Sequence, residues 1–118
     1  MALATKLNLK PGVKVRVVGK PRSVDLDDVT TTAAAAAPAV LVFAATKAAL
    51  DAKGAPFVAA AREDRIAWVA YPKAGQLDTD LSRDVVWKHL AGKGIQPVRQ
   101  IAIDGVWSAL RFRPGTRG

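Results

Sequence analysis

The chain has 118 residues, no cysteine and a formal net charge of +8 at pH 7. This length fits one domain with a single hydrophobic core. The lack of cysteine excludes disulfides, thiolate catalysis and zinc–thiolate sites. The excess of lysine and arginine favours an anionic partner, which includes nucleic acid, a phosphorylated ligand and an acidic protein.

No run of the sequence approaches the roughly 18 apolar residues of a membrane span. The first residues also lack the apolar core of about 7–15 residues that a signal peptide contains. We therefore expect a cytoplasmic protein without membrane contact. We expect one domain over residues 1–118, with a loose start at 1–10 and a polar tail at 113–118.

The first part of the chain predicts two strands separated by a loop. In Val13–Val18, valines alternate with basic residues, which is typical of a half-exposed strand and suits the edge of a sheet. Residues 23–29 predict a short helical turn, and the threonine- and alanine-rich residues 30–37 predict a loop. Val40–Ala45 is continuously apolar and predicts a strand buried on both faces.

The second part alternates between helices and strands and ends in a hairpin. Thr46 is a good N-cap, and Asp104-Gly105 is a strong two-residue hairpin signal. The predicted helices are Lys47–Lys53, Pro56–Asp64 and a third from Thr79 to about Gly92, and the predicted strands are Ile66–Tyr71, Val98–Ile103 and Val106–Phe112.

This order of elements predicts an α/β fold with a mainly parallel sheet. A helix between two strands returns the chain to the end of the sheet where the first strand began, so the second strand runs in the same direction. The apolar runs Val40–Ala45 and Ile66–Tyr71 are expected to pair side by side in the same direction. We predict a three-layer domain around a five-stranded mixed sheet.

Three motifs, Trp68–Lys73, Thr79–Asp84 and Trp107–Phe112, together resemble those of an uncharacterised family of small bacterial proteins, a domain of unknown function common in high-GC bacteria. The buried strand, helix and hairpin are also distantly similar to the C-terminal half of Rossmann-like methyltransferases. That second resemblance implies the strand order first-second-third-fifth-fourth, with the fifth strand antiparallel and the first at an edge.

The methyltransferase resemblance does not extend to the cofactor loop. The turn after the first strand is Gly19-Lys20-Pro21-Arg22, which has one glycine where such enzymes have a glycine-rich loop. The strands that would complete the cofactor half are also missing. We expect no S-adenosylmethionine site and no other cofactor.

Ligands of open α/β sheets sit at the carboxyl ends of the strands, and this edge carries basic and hydroxyl residues. Helix N-termini predicted at Thr46 and Thr79 point to the same edge and favour a phosphate or sulfate. The candidate anion site comprises Lys20, Arg22, Thr46, Lys47, Tyr71, Lys73 and Thr79. The more ordinary interpretation is a set of solvated charges and helix caps.

Two other groups have catalytic alternatives. Asp80 and Asp84 share a helix face beside Asp78, but a carboxylate catalyst or magnesium site needs acids that converge, and a capped helix start is the more ordinary interpretation. His89 is the only histidine and has no serine or cysteine partner by spacing, so a surface position at a helix end is favoured. We predict no catalytic residue and no metal site.

Tryptophans and basic segments leave two binding functions open. Trp68 is expected in the core, whereas a partly exposed Trp87 or Trp107 would anchor a protein contact. Basic residues gather toward both ends of the chain, which allows weak nucleic-acid binding. The predicted strand order puts these two segments at opposite edges of the sheet, so their charge would be spread and would not form one continuous track.

The leading functional hypothesis is a non-catalytic binding or adaptor module with a protein partner. The alternatives are a small anion or nucleotide binder or enzyme at the carboxyl edge, and weak nucleic-acid binding through the basic termini.

Overall fold

The computed structural model describes residues 3–10, 12–22, 24–26, 29–34, 37–73, 75–77 and 79–115. The strands in this part of the chain are β1 (Val15–Val18), β2 (Thr31–Thr32), β3 (Ala39–Phe43), β4 (Ile66–Pro72), β5 (Ile95–Ala102) and β6 (Trp107–Pro114). The helices are α1 (Leu3–Lys6), α2 (Lys47–Lys53), α3 (Ala55–Arg62) and α4 (Arg83–Leu90), and a 3₁₀ turn, Ala91–Lys93, follows α4.

The strands form one mixed sheet in the order β2-β1-β3-β4-β6-β5. The first four strands are parallel, β6 runs antiparallel to β4, and β5 runs antiparallel to β6. The α/β class is confirmed, and the two apolar runs pair in parallel, with Leu41 opposite Trp68. The five predicted strands follow one another as expected, but the sheet has a sixth strand at one side.

The additional strand β2 corrects two predictions. Residues 30–37 are not entirely loop, and β1 is not at the edge, because Thr31 and Thr32 pair with it in parallel. The backbone N–H of Val15 also donates to Thr30 O at 2.9 Å. β-branched threonine suits a strand, but two residues are too short to show a periodic pattern.

The two faces of the sheet are covered differently. On one face α2, α3 and α4 pack over the core, where the rings of Phe57 and Phe112 meet edge to face at 5.4 Å. On the other face, α1 and the segments around Val24 and Val29 cover an equally buried cluster. The predicted three layers are therefore only partly present, because α1 is a single turn.

The helical turn predicted for residues 23–29 falls partly outside the described residues, and 24–26 are not helical.

The start of the chain differs from the loose segment that was predicted. Leu7 is 1 % exposed, and Trp68 Nε1 donates a buried hydrogen bond of 3.0 Å to its carbonyl oxygen. Leu7 therefore fixes residues 3–10 to the core, although Thr5, Asn8 and Lys10 remain exposed. At the other end, Arg113 and Pro114 extend β6 rather than starting a polar tail.

The third predicted helix begins later than expected. α4 starts at Arg83, because Ser82 is its N-cap and accepts from Val85 N at 3.3 Å. Thr79 instead donates to Ala45 O and accepts from Leu81 N, so its hydroxyl joins two loops. Threonine and serine are both good caps, and their sequence positions did not distinguish them.

Candidate binding surfaces

The start of α2 lies at the carboxyl edge of the sheet, as predicted, but its N–H groups already have partners. The Thr46 hydroxyl accepts from Ala49 N at 3.1 Å, and the backbone N–H of Lys47 donates to Asp80 Oδ1 at 2.9 Å. The Asp80 carboxylate therefore occupies the position that an external anion would take at a helix N-terminus.

The remaining residues of the candidate anion site do not converge on α2. Lys20 Nζ donates to Val24 O at 2.6 Å and to Pro21 O at 3.1 Å, so its ammonium closes its own loop. Arg22 is exposed, and the backbone N–H of Lys73 donates to Val106 O at 2.7 Å. The structure brings Thr79 beside Thr46 and Lys47, whereas Lys20 and Lys73 make contacts elsewhere.

Tyr71 is a core residue rather than part of an exposed edge. It is 2 % exposed and packs in the cluster beneath α3 and α4. Its hydroxyl accepts a hydrogen bond of 3.0 Å from Gln100 Nε2. Burial raises the pKa of Tyr71 above its ordinary value, because the phenolate loses hydration in the core.

A wide groove of about 980 Å³ lies beside β1 and β2 at this end of the sheet. Arg16 and Lys20 supply positive charge to its lining, and the threonines of β2 supply hydroxyl groups. Gly19, at φ +74°, belongs to its lining, and an added Cβ there would come within 2.8 Å of Phe43 O. The sequence did not predict this groove, because it depends on β2.

The candidate residues Asp80 and His89 make contacts that join elements of the fold. His89 Nε2 lies 2.8 Å from Asp51 Oδ1 and so links α4 to α2. Asp80 binds the start of α2, whereas Asp78 lies outside the described residues. Within the part of the chain that the structure describes, no three His, Cys, Asp or Glu side chains are grouped for a metal ion.

A groove with both apolar and polar lining residues lies between α4 and β5. Trp87 is 47 % exposed and Val98 is 48 % exposed, whereas Trp68 and Trp107 are buried. The groove measures about 410 Å³, and its lining includes two arginines but no acidic residue. Its lining consists of Arg83, Trp87, Pro97, Val98, Arg99, Gln100 and Leu110.

The outer wall of this groove is an edge strand. β5 pairs with β6 on one side only, and its register shifts between Pro97 and Arg99. Proline, a bulge and a charged residue are features that protect a sheet edge from indiscriminate pairing. The stretch after the bulge, Arg99–Ala102, remains regular in its pairing with β6.

Three arginines lie next to one another on the β5–β6 hairpin. Arg99 is directly opposite Arg111, and Arg113 follows two residues along β6. Arg113 forms a two-point ion pair with Asp64, with both N···O distances at 2.9 Å. Arg111 Nε is buried and has no hydrogen-bond partner among the described residues.

The electrostatic environment of Arg111 is unfavourable. Burial lowers its pKa most, the positive charge of Arg113 lowers the pKa further, Asp64 opposes this lowering, and Arg99 makes the smallest contribution, also downward. Lys6 Nζ donates to Ala102 O at 3.3 Å, so a cation of the N-terminal segment also reaches this hairpin. The expected separation of the two basic ends is therefore incomplete.

Comparison with known protein families, curated proteins and solved structures gave no match. The bacterial-family and methyltransferase resemblances thus stay predictions. In the described ranges, none of the helices has the length and apolar character needed to cross a membrane.

Proposed function

We propose that this protein is a non-catalytic binding module whose contact surface is the groove between α4 and β5. The observation that carries this proposal is the exposure of Trp87, at 47 %, beside Val98, at 48 %. Large apolar side chains are costly to leave in water, and tryptophan is the side chain most enriched at the energetic centres of protein contacts.

The charge of the groove indicates the chemistry of its partner. Arg83 lies on α4 beside Trp87 in the lining, whereas Arg99 is opposite Arg111 in the ladder, on the sheet face away from α4. An extended acidic segment with one large apolar residue complements Arg83 and Trp87, because a carboxylate meets the guanidinium group while the apolar residue covers the indole. The overall charge of +8 would speed the encounter with such a partner.

The edge strand adds a second means of recognition. An extended segment can pair with the backbone of an edge strand, and the regular stretch Arg99–Ala102 offers a place for this pairing. Pro97 cannot donate a backbone hydrogen bond, so the pairing would be confined to the residues beyond it. Because few residues of β5 are open to pairing, a bound segment would be held in one register.

Selection from a random peptide library tests the proposal, because such a library samples many combinations of charged and apolar residues at once. The selected peptides are expected to combine aspartate or glutamate with a large apolar residue. They should lose about tenfold or more in affinity for Trp87→Ala and Arg83→Gln, because both variants remove groups from the groove. Lys88→Gln removes the same charge from α4 outside the groove lining and should bind as the unchanged protein does.

Trp87 also provides a direct spectroscopic readout. The other two tryptophans are buried, so quenching of fluorescence by acrylamide reports mainly on Trp87. A selected acidic peptide should protect this fluorescence. The proposal fails if the library yields no binding peptide, or if the selected peptides bind Trp87→Ala as tightly as the unchanged protein.

A small-ligand function at the carboxyl edge is the second candidate, and the groove beside β1 and β2 favours it. Arg16 and the threonine hydroxyls of β2 would contact a phosphorylated ligand there. A thermal-shift screen with nucleotides and phosphorylated metabolites tests this, because a ligand that binds the folded state raises the melting temperature. The shift should be smaller in Arg16→Gln.

A further inference from the structure

The arginines of the β5–β6 hairpin bring like charges together, with Asp64 as the opposing carboxylate. Arg99 and Arg111 are directly opposite in the antiparallel ladder, where like charges destabilise a sheet. Of these arginines, Arg113 alone has a carboxylate partner, Asp64, among the described residues. A pair of directly opposed cations is an arrangement that an external anion would stabilise.

We propose that Arg99 and Arg111, the opposed cations of the hairpin, bind the phosphate backbone of a nucleic acid. Guanidinium groups match phosphate oxygens in two-point hydrogen bonds, and phosphate charge would relieve the repulsion between the opposed side chains.

The shape of the surface favours a polymer over a small phosphorylated molecule. Small ligands bind in cavities that bury most of their surface. The cavity at this end of the hairpin is only about 290 Å³, and Asp64 contributes negative charge to its lining beside Arg113. The arginines instead extend across two adjacent strands, which suits a chain of phosphates that touches several cations at once.

Lys6 extends the charged surface beyond the hairpin. Its ammonium group donates to Ala102 O, at the end of β5 that lies away from Arg113. The positive groups without a carboxylate partner among the described residues therefore follow the hairpin from Lys6 to Arg99 and Arg111. Trp68 and Trp107 are buried, so this surface offers no indole for stacking on bases. We infer binding that follows the phosphate backbone and does not read the base sequence.

Fluorescence anisotropy with labelled DNA duplexes of two unrelated sequences tests the inference. The full chain should bind both with similar affinity, and the logarithm of the association constant should fall with the logarithm of salt concentration with a slope of roughly −3, as for three or four neutralised phosphates. Arg111→Gln should reduce that slope by about one and weaken binding about tenfold at low salt. Lys88→Gln, with the same net charge, should keep both values near those of the unchanged protein.

The melting temperature of Arg111→Gln shows whether Arg111 serves binding or the stability of the fold. If Arg111 serves binding, Arg111→Gln should leave the melting temperature of the free protein unchanged or higher, because it removes a like charge from the hairpin. A structural arginine would instead lower the melting temperature on removal. Should Arg111→Gln not fold, Arg99→Gln, at an exposed position, should show the same loss of slope.

The inference and the proposed peptide groove can fail separately. Trp87→Ala should leave duplex binding intact, and Arg111→Gln should leave peptide binding intact. Equal duplex affinity for Arg111→Gln, Arg99→Gln and Lys88→Gln would overturn the inference. So would competition by inorganic phosphate at concentrations comparable to those of the duplex phosphates, because that result would mark a small-anion site.

Discussion

The carboxylate of Asp80 accepts a hydrogen bond of 2.9 Å from the backbone N–H of Lys47, across 33 residues of sequence. Lys47 is the first residue of α2, so the chain places its own negative charge at the positive end of this helix. The bond joins the loop before α4 to the helix after β3. It also explains why a plausible anion site at Thr46 and Lys47 is already filled.

Asp80→Ala should therefore have two effects. It should destabilise the protein by about 0.5–1 kcal/mol, since it removes a charged partner from a helix N-terminus. It should also make sulfate more stabilising than it is for the unchanged protein, because an external anion can then reach the freed N–H. Urea unfolding with and without sulfate measures both effects, with the exposed Glu63→Gln as control. Equal responses to sulfate in all three proteins would contradict this account.

Acid should weaken the link between Asp64 and Arg113. The hydrogen bond from Arg113 lowers the pKa of Asp64 below its ordinary 3.8. The charged pair therefore contributes stability above that ordinary value, and this contribution is lost as pH falls through the lowered pKa of the folded state. Asp64 has φ 58°, a conformation that asparagine tolerates, so Asp64→Asn removes the charge without new backbone strain.

The measurement for this pair is the difference in unfolding free energy between the unchanged protein and Asp64→Asn, followed from neutral pH to about pH 2. The difference should favour the unchanged protein at neutral pH and should shrink in acid. It should also shrink in high salt, because the pair is at the surface. A difference that is independent of pH would show that the charge of Asp64 contributes nothing.

Trp68→Phe should cost much more stability than Trp87→Phe. Trp68 is buried, and its loss leaves the Leu7 carbonyl without its donor as well as a cavity beside the core. We expect a loss of roughly 2–3 kcal/mol. Trp87 is exposed, so its replacement should change stability by less than about 0.5 kcal/mol. Denaturant unfolding of the two variants compares these costs, and equal values would refute the role of the Leu7 bond.

Tyr71 is the only tyrosine in the chain, so its ionisation can be followed by phenolate absorbance without interference from another tyrosine. Burial raises its pKa above 10.0, so it should ionise above that pH in the folded protein and near 10.0 in urea. Stability should consequently fall as pH rises above the unfolded-state pKa and through the higher pKa of the folded state. A titration midpoint at or below 10.0 in the folded protein would show that the hydroxyl is hydrated.

Much of the fold could be predicted because it follows from local patterns. Apolar runs such as Val40–Ala45 have no polar face to present to water, which requires a strand covered on both sides. The hairpin itself is local, but its connection is longer than the predicted two residues. β5 ends at Ala102 and β6 begins at Trp107, and Asp104 Oδ1 accepts from the backbone N–H groups of Val106 and Trp107 at 2.8 Å each. The Thr46 cap at the start of α2 likewise depends on residues three apart.

The candidate sites could be predicted less well, because they depend on contacts between distant residues. The sequence places Thr79 before a predicted helix, but packing against Ala45 gives its hydroxyl a different role. The exposure of Trp87 depends on how α4 packs beside β5. The opposition of Arg99 and Arg111 depends on the register of the hairpin after its bulge.

The sequence by itself determined the alternation of helices and strands, the two buried central strands and the excess of positive charge. These properties come from the order of apolar, turn-forming and charged residues along the chain. Only the tertiary structure decided which charges meet: Asp80 fills the start of α2, Asp64 neutralises Arg113, and Arg111 is left facing another cation. The physical reason is that Coulomb interactions and hydrogen bonds depend on distance in space, which folding sets through strand register and packing.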